Sequence, residues 1–187
     1  MQRRLRTLRR RQGGLTLVEL MIAIALVGIV TGAITMVISD VFSASARTSN
    51  HMMAVRQVQN AEYWLSRDVR QALPDKADLS PTGGQLVVLE WGKFDEVTKG
   101  WHTIIVEYTL SHDGNLQRLE YIKLNGDSEP DLVADTIVAQ HIDDQTTVYW
   151  HAEQDVVVFE VTAVVHGQSE TRVYEIMPRL HSNDTNS

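Results

Sequence analysis

One carboxylate stands where a carboxylate is costly. Glu19 lies inside residues 15–38, a run that otherwise contains no Lys, Arg, Asp, Asn, Gln, His or Pro. Deep in a bilayer a carboxylate costs about 2.5–3.5 kcal/mol on insertion scales, and less near the interface. From the first turn of a helix it can snorkel to the headgroups; the other option is a positive partner inside an assembly. The spacing favours the partner. A cut between Gly14 and Leu15 would free an α-amine four residues ahead of Glu19. The two charges could then neutralise each other between neighbouring helices.

Elsewhere the residue types argue against turnover. There is no Cys, so thiolate metal sites and cysteine catalysis are excluded, and an exported domain would hold itself by its core rather than by disulfides. The seven histidines are scattered, without paired metal-ligand spacing. No nucleophile elbow or phosphate loop is present. Trp91, Trp101 and Trp150 could form a ligand platform, but at strand positions they read as core or sheet-edge residues. The loop Asn125-Gly126-Asp127-Ser128-Glu129-Pro130-Asp131 gathers Asp127, Glu129 and Asp131, the kind of oxygen supply calcium takes, and Asp143-Asp144 could add to it. It is not the EF-hand pattern, and Pro130 restricts how the loop can wrap. A solvated acidic turn is the expectation, and no cofactor is assigned.

The element that positions Glu19 is the apolar run itself. A hydrocarbon core of about 30 Å needs roughly 20 residues of helix, and residues 15–38 are long enough. Six arginines precede it: Arg3, Arg4, Arg6, Arg9, Arg10 and Arg11. The positive-inside rule then keeps the N-terminus cytoplasmic and places the rest outside the plasma membrane. Removing those six from the 17 basic residues leaves 11 against 24 acidic ones, a net charge of about −13. Such a surface is a poor nucleic-acid binder. A secretory signal peptide is the rival, since Ala44-Ser45-Ala46 offers a cleavage site. Its apolar core would be about 7–15 residues, shorter than this run. Within the run, Gly28-Ile29-Val30-Thr31-Gly32 is a G-x-x-x-G. It reads either as a close helix-packing face or as the ordinary glycine content of membrane helices.

Gly14 followed by Leu15-Thr16-Leu17-Val18-Glu19-Leu20-Met21, behind a basic leader, resembles the type IV prepilin signature, which is shared by pilus subunits and the pseudopilins of type II secretion. The resemblance implies cleavage between Gly14 and Leu15 by a prepilin peptidase and N-methylation of Leu15. It also implies contact of Glu19 with the N-terminus of an adjacent subunit. The Phe usual after the cut is Leu15 here, and no Pro interrupts the helix. The β-rich remainder, with Arg67-Asp68-Val69-Arg70-Gln71-Ala72 and Met177-Pro178-Arg179, resembles minor subunits of the W-type pilin or J-type pseudopilin kind.

Behind the span, residues 40–74 predict an amphipathic continuation of the helix. Its stripe is Met52, Val55, Gln59, Glu62, Leu65, Val69 and Ala72, with Val58, Ala61 and Leu73 beside it, ending at Leu73-Pro74. A break near residues 43–50 is the alternative. Strands are expected at 85–91, 101–110, 116–124, 142–151, 156–165 and 171–177. Hairpin turns are expected at His112-Asp113-Gly114-Asn115 and His166-Gly167-Gln168-Ser169, while 132–139 is ambiguous, with a short helix as one option. The fold class is α+β: a long N-terminal hydrophobic helix whose C-terminal half packs on an antiparallel β-sheet, a pilin-like layout. The expected divisions are a cleaved leader at 1–14, a transmembrane or filament-core helix at 15–39, the amphipathic segment at 40–74, a β-rich extracytoplasmic domain at 75–181 and a flexible tail at 182–187. The function expected is a minor subunit of a type IV pilus or type II secretion pseudopilus. Its implied partners are other pilins, the prepilin peptidase, the inner-membrane assembly platform and membrane lipid. The alternative is a single-pass anchored binding domain with no filament role.

Overall fold

The computed structural model describes residues 16–72, 77–79, 81, 84–96 and 99–178. The chain divides into two compact units, Met1–Ala46 and Arg47–Ser187. One α-helix, α1 (Leu17–Val69), crosses the boundary without a break. The stretch Ser43-Ala44-Ser45-Ala46-Arg47-Thr48-Ser49-Asn50 holds no Gly or Pro, so nothing in it stops propagation of the helix.

In the first unit every described residue of α1 is exposed. In the second, α1 buries Ala54, Val58, Ala61, Leu65, Ser66, Asp68 and Val69. The lower half of the expected stripe holds and its upper half does not. Met52 is 53% exposed and Gln59 is exposed, while Ala54 and Ala61 are fully covered. Small alanines let neighbouring strands come close, and rotating the face onto them keeps Gln59 from burying an amide. The helix also ends at Val69 rather than Leu73. Gln71 and Ala72 both donate backbone N–H groups to the Asp68 carbonyl, at 3.0 and 2.9 Å, which tightens and closes the last turn.

Seven strands follow: β1 (Gln85–Asp95), β2 (Gly100–Leu110), β3 (Leu116–Leu124), β4 (Asp131–Ala139), β5 (Thr147–His151), β6 (Val156–Val165) and β7 (Gln168–Ile176). They form two antiparallel sheets, in the orders β1-β2-β3-β4 and β5-β6-β7, rather than one. β1 runs past Trp91 to Asp95, its last residues pairing with the start of β2, Phe94 opposite Trp101. Residues 132–139 are strand, not helix. Pairing jumps from Leu116↔Ala139 to Gln117↔Ile137 and from Glu120↔Ala134 to Tyr121↔Leu132, so Val138 and Val133 are extra residues. Two bulges erase the period-2 signal that would have marked the strand. The strand expected from residue 142 starts only at Thr147. Before it, Asp143 accepts the Gln145 N–H on its side chain at 2.9 Å and the Thr146 N–H on its carbonyl at 3.1 Å, which folds those residues into a turn. The β6–β7 turn is two residues, His166 (φ 48°) and Gly167 (φ 79°), so Gln168 and Ser169 pair in β7 instead.

Both sheets and the second half of α1 share one core. Val58, Ala61 and Leu65 meet Leu89, Val106 and Leu116 of the first sheet and Phe159, Val161 and Val165 of the second within one buried cluster. Gln57 Oε1 also accepts the Gln140 backbone N–H at 2.8 Å, pinning the helix to the β4–β5 connection.

Candidate functional site

The N-terminal site can be followed from Thr16 onward; Gly14 and Leu15, with the leader, lie outside the described residues, as does the tail at 182–187. Thr16 begins the helix. Its carbonyl accepts the Leu20 N–H at 3.1 Å and its hydroxyl accepts the Glu19 N–H at 3.3 Å. This is an N-cap with Glu at the third helical position, the Thr-x-x-Glu pattern of a capping box. Glu19 therefore has a local stabilising role at the positive end of the helix dipole. The pattern was legible in the sequence and passes unnoticed if attention rests on Glu19 alone.

Beyond Glu19 the helix presents apolar side chains all round. Leu17, Met21, Ile24, Ile29 and Phe42 are all more than half exposed. Among the described residues this is the helix long and apolar enough to cross a membrane, and none of its most apolar window is covered within the chain. A Cβ placed on Gly28 or Gly32 would meet nothing within 4 Å, so that face is open. Thr35 returns its hydroxyl to the Thr31 carbonyl at 2.9 Å, which satisfies it without a partner helix.

A second cluster lies in the other unit, and the sequence did not single it out as a cluster. Asp68 is fully buried on α1. Its Oδ2 accepts from Tyr108 Oη at 2.7 Å and from Arg118 Nε at 2.6 Å, and its Oδ1 accepts from Arg67 Nε and Nη2 at 3.2 and 3.1 Å. Arg118 also donates from Nη1 to Glu120 Oε2 at 2.7 Å. The Arg67 guanidinium lies 4.2 Å over the Trp64 ring and that of Arg118 lies 5.5 Å from it, within cation–π range. Burial, the Asp68 charge and the hydrogen bond to Asp68 push the Tyr108 phenol far above its usual range. For Arg118, burial acts to lower the guanidinium, but hydrogen bonds to Asp68 and Glu120 outweigh it and hold it above its ordinary value. A cavity of about 410 Å³ opens beside the network, lined by Arg67, Asp68, Trp91, Lys93, Arg118 and Glu120. Both carboxylate oxygens of Asp68 are taken up by these bonds. The arrangement clamps α1 to β2 and β3. A charged residue of each sign inside otherwise apolar periodicity was the signal in the sequence; their pairing was not.

Asp127 and Glu129 stand exposed between β3 and β4, and Asp131 opens β4. Among the described residues no group of three His, Cys, Asp or Glu is placed to hold a metal ion. Trp91 and Trp150 pack against the core from partly buried positions, while Trp101 is exposed and meets Phe94 edge-on at 5.6 Å. The three rings are not a platform.

The fold and this terminus define a class: a β-rich domain carried behind an uncovered, capped, membrane-length helix. A family model described as the prokaryotic N-terminal methylation motif matches residues 9–35. No curated protein and no solved structure matches the chain. The motif supports a type IV pilin-like protein and indicates a prepilin-type subunit of a type IV pilus or secretion pseudopilus. It implies processing by a prepilin peptidase and assembly with other pilins, and with the apolar helix it fits a membrane-anchored protein.

Proposed function

We propose that the chain is cut between Gly14 and Leu15, N-methylated on Leu15, and assembled as a minor subunit of a type IV pilus or type II secretion pseudopilus. The observation that carries this reading is the uncovered apolar helix with Glu19 at its start. Such a helix needs lipid first and other helices later. The freed amine of Leu15 pairs with Glu19 of a neighbour, neutralising two charges in an apolar filament core and setting the axial register. Gly28 and Gly32 give that neighbour a place of close approach. The inner-membrane platform lifts the subunit out of the bilayer, and the β-rich unit is displayed outside the plasma membrane. A minor role is supported by the size of that unit, with two sheets built around one helix.

Mass spectrometry of the protein from its own cells tests the reading. The expected chain starts at methyl-Leu15. An intact Met1, or a start near Thr48, would overturn it and leave an anchored or secreted binding domain.

A further inference from the structure

The four-stranded sheet has apolar side chains on both faces. Its inner face is core: Val87, Leu89, Ile104, Val106 and Tyr108 are buried. Antiparallel sheets with one covered face usually turn polar residues outward. Here the outer face is mixed, with apolar side chains standing among the polar ones. Directly opposed residues share a face, and the register gives its rows. Phe94 faces Trp101; Gly92, Thr103 and Lys123 form a second row; Glu90, Ile105, Tyr121 and Leu132 a third; Val88, Glu107, Leu119 and Asp135 a fourth; Thr109, Gln117 and Ile137 a fifth. Phe94 (45%), Trp101 (61%), Leu132 (54%) and Ile137 (53%) are exposed on it, around half-buried Ile105, Leu119 and Tyr121.

We propose that this outer face of β1-β2-β3-β4 is a docking surface for a different protein, one presenting apolar side chains interspersed with Lys or Arg. The charges choose the occupant. Glu107 and Asp135 stand in one row, with Asp135 accepting from Gln117 Nε2 at 2.6 Å, and among the described residues of these rows Lys123, opposite Thr103, is the cation. The Tyr121 phenol registers that field: burial, then Glu107 and Asp135, raise it above its usual range. A second copy of this chain would bring those carboxylates against their own kind, which opposes self-pairing. Anionic lipid is disfavoured by the same charges. The exposed Trp–Phe pair, with one row between it and Ile105, Tyr121 and Leu132, supplies the aromatic side chains that interfaces favour. The partner's class rests on the assembly reading above; the surface itself does not.

The test places a photoreactive phenylalanine analogue at Phe94, Leu132 or Ile137 of the full chain in its own cells, with Glu153, in an exposed turn off this face, as control. The expected result is an adduct from the three face positions, absent from the control, to one other protein. Its cross-linked peptide should lie in a surface carrying Lys or Arg around apolar residues. Glu107→Lys with Asp135→Lys should lower the yield about tenfold, and reversing the partner's cation should restore it. Unchanged circular dichroism of the double variant excludes misfolding as the cause of the loss. Adducts to a second copy or to lipid, equal yield at the control, no adduct, or a yield indifferent to charge reversal would each overturn the proposal. An intact N-terminus with the adduct retained would remove the prepilin reading and leave this surface standing.

Discussion

Asp68 is the residue on which the β-rich unit turns. It is wholly buried, and three side chains from α1, β2 and β3 donate to it. Replacing it with Ala strands the Arg118 guanidinium and the Tyr108 hydroxyl, so Asp68→Ala is expected to lose about 3–5 kcal/mol in denaturant unfolding of the full chain in mild detergent. Replacing both Asp68 and Arg118 with apolar residues of similar volume is expected to recover part of that loss, because no charge is then left unpaired. The pH response follows from Tyr108. Its folded-state value is raised, so its contribution is intact below the unfolded value of about 10 and declines as pH rises beyond it. Above that point stability should fall by about 1.4 kcal/mol per pH unit for each phenol held protonated. A spectrophotometric tyrosine titration should show Tyr108 ionising only as the protein unfolds, a step that Tyr108→Phe removes. Glu19→Val, by contrast, should leave folding of the β-rich unit unchanged and block incorporation into filaments, read by the fraction recovered with sheared pili or pseudopili.

At the level of elements, two glycines separate conformation from contact. Gly167 (φ 79°) meets nothing within 4 Å, so Gly167→Ala carries only the left-handed backbone cost, about 1–2 kcal/mol. Gly114 (φ 74°) has the Ile142 carbonyl oxygen 2.9 Å from where a Cβ would stand. Gly114→Ala should therefore lower the midpoint of thermal unfolding further than Gly167→Ala does. The hairpin at Gly114 was readable because Asp-Gly dominates short turns. β4 was not readable, because bulges at Val133 and Val138 break its alternation and its pairing partner lies in another strand. The helix stripe was half readable. Leu65 and Val69 mark the covered face from composition, but Ala54 in place of Met52 depends on which strands approach and how closely.

For the molecule as a whole, the two units meet different surroundings. Among the described residues, the first presents an apolar helix that the rest of the chain leaves exposed; the second closes a core from one helix and two sheets. The full chain should stay in the membrane pellet through a high-salt wash, since the anchoring is apolar rather than ionic. Deleting residues 17–42 should release it to the supernatant; release of the full chain by salt would contradict the anchor.

The sequence by itself determined the processing motif, the membrane-length run, the position of Glu19 and the α+β order of elements. Each of these is local: a spacing, a length or a periodicity that one stretch of chain expresses without help. The tertiary structure alone decided that the strands divide into two sheets and that Asp68, Arg118 and Tyr108 meet. It also decided that the outer face of the first sheet gathers apolar residues from four strands. Those facts depend on register between segments far apart in the chain, and register is set by packing, which no single stretch contains.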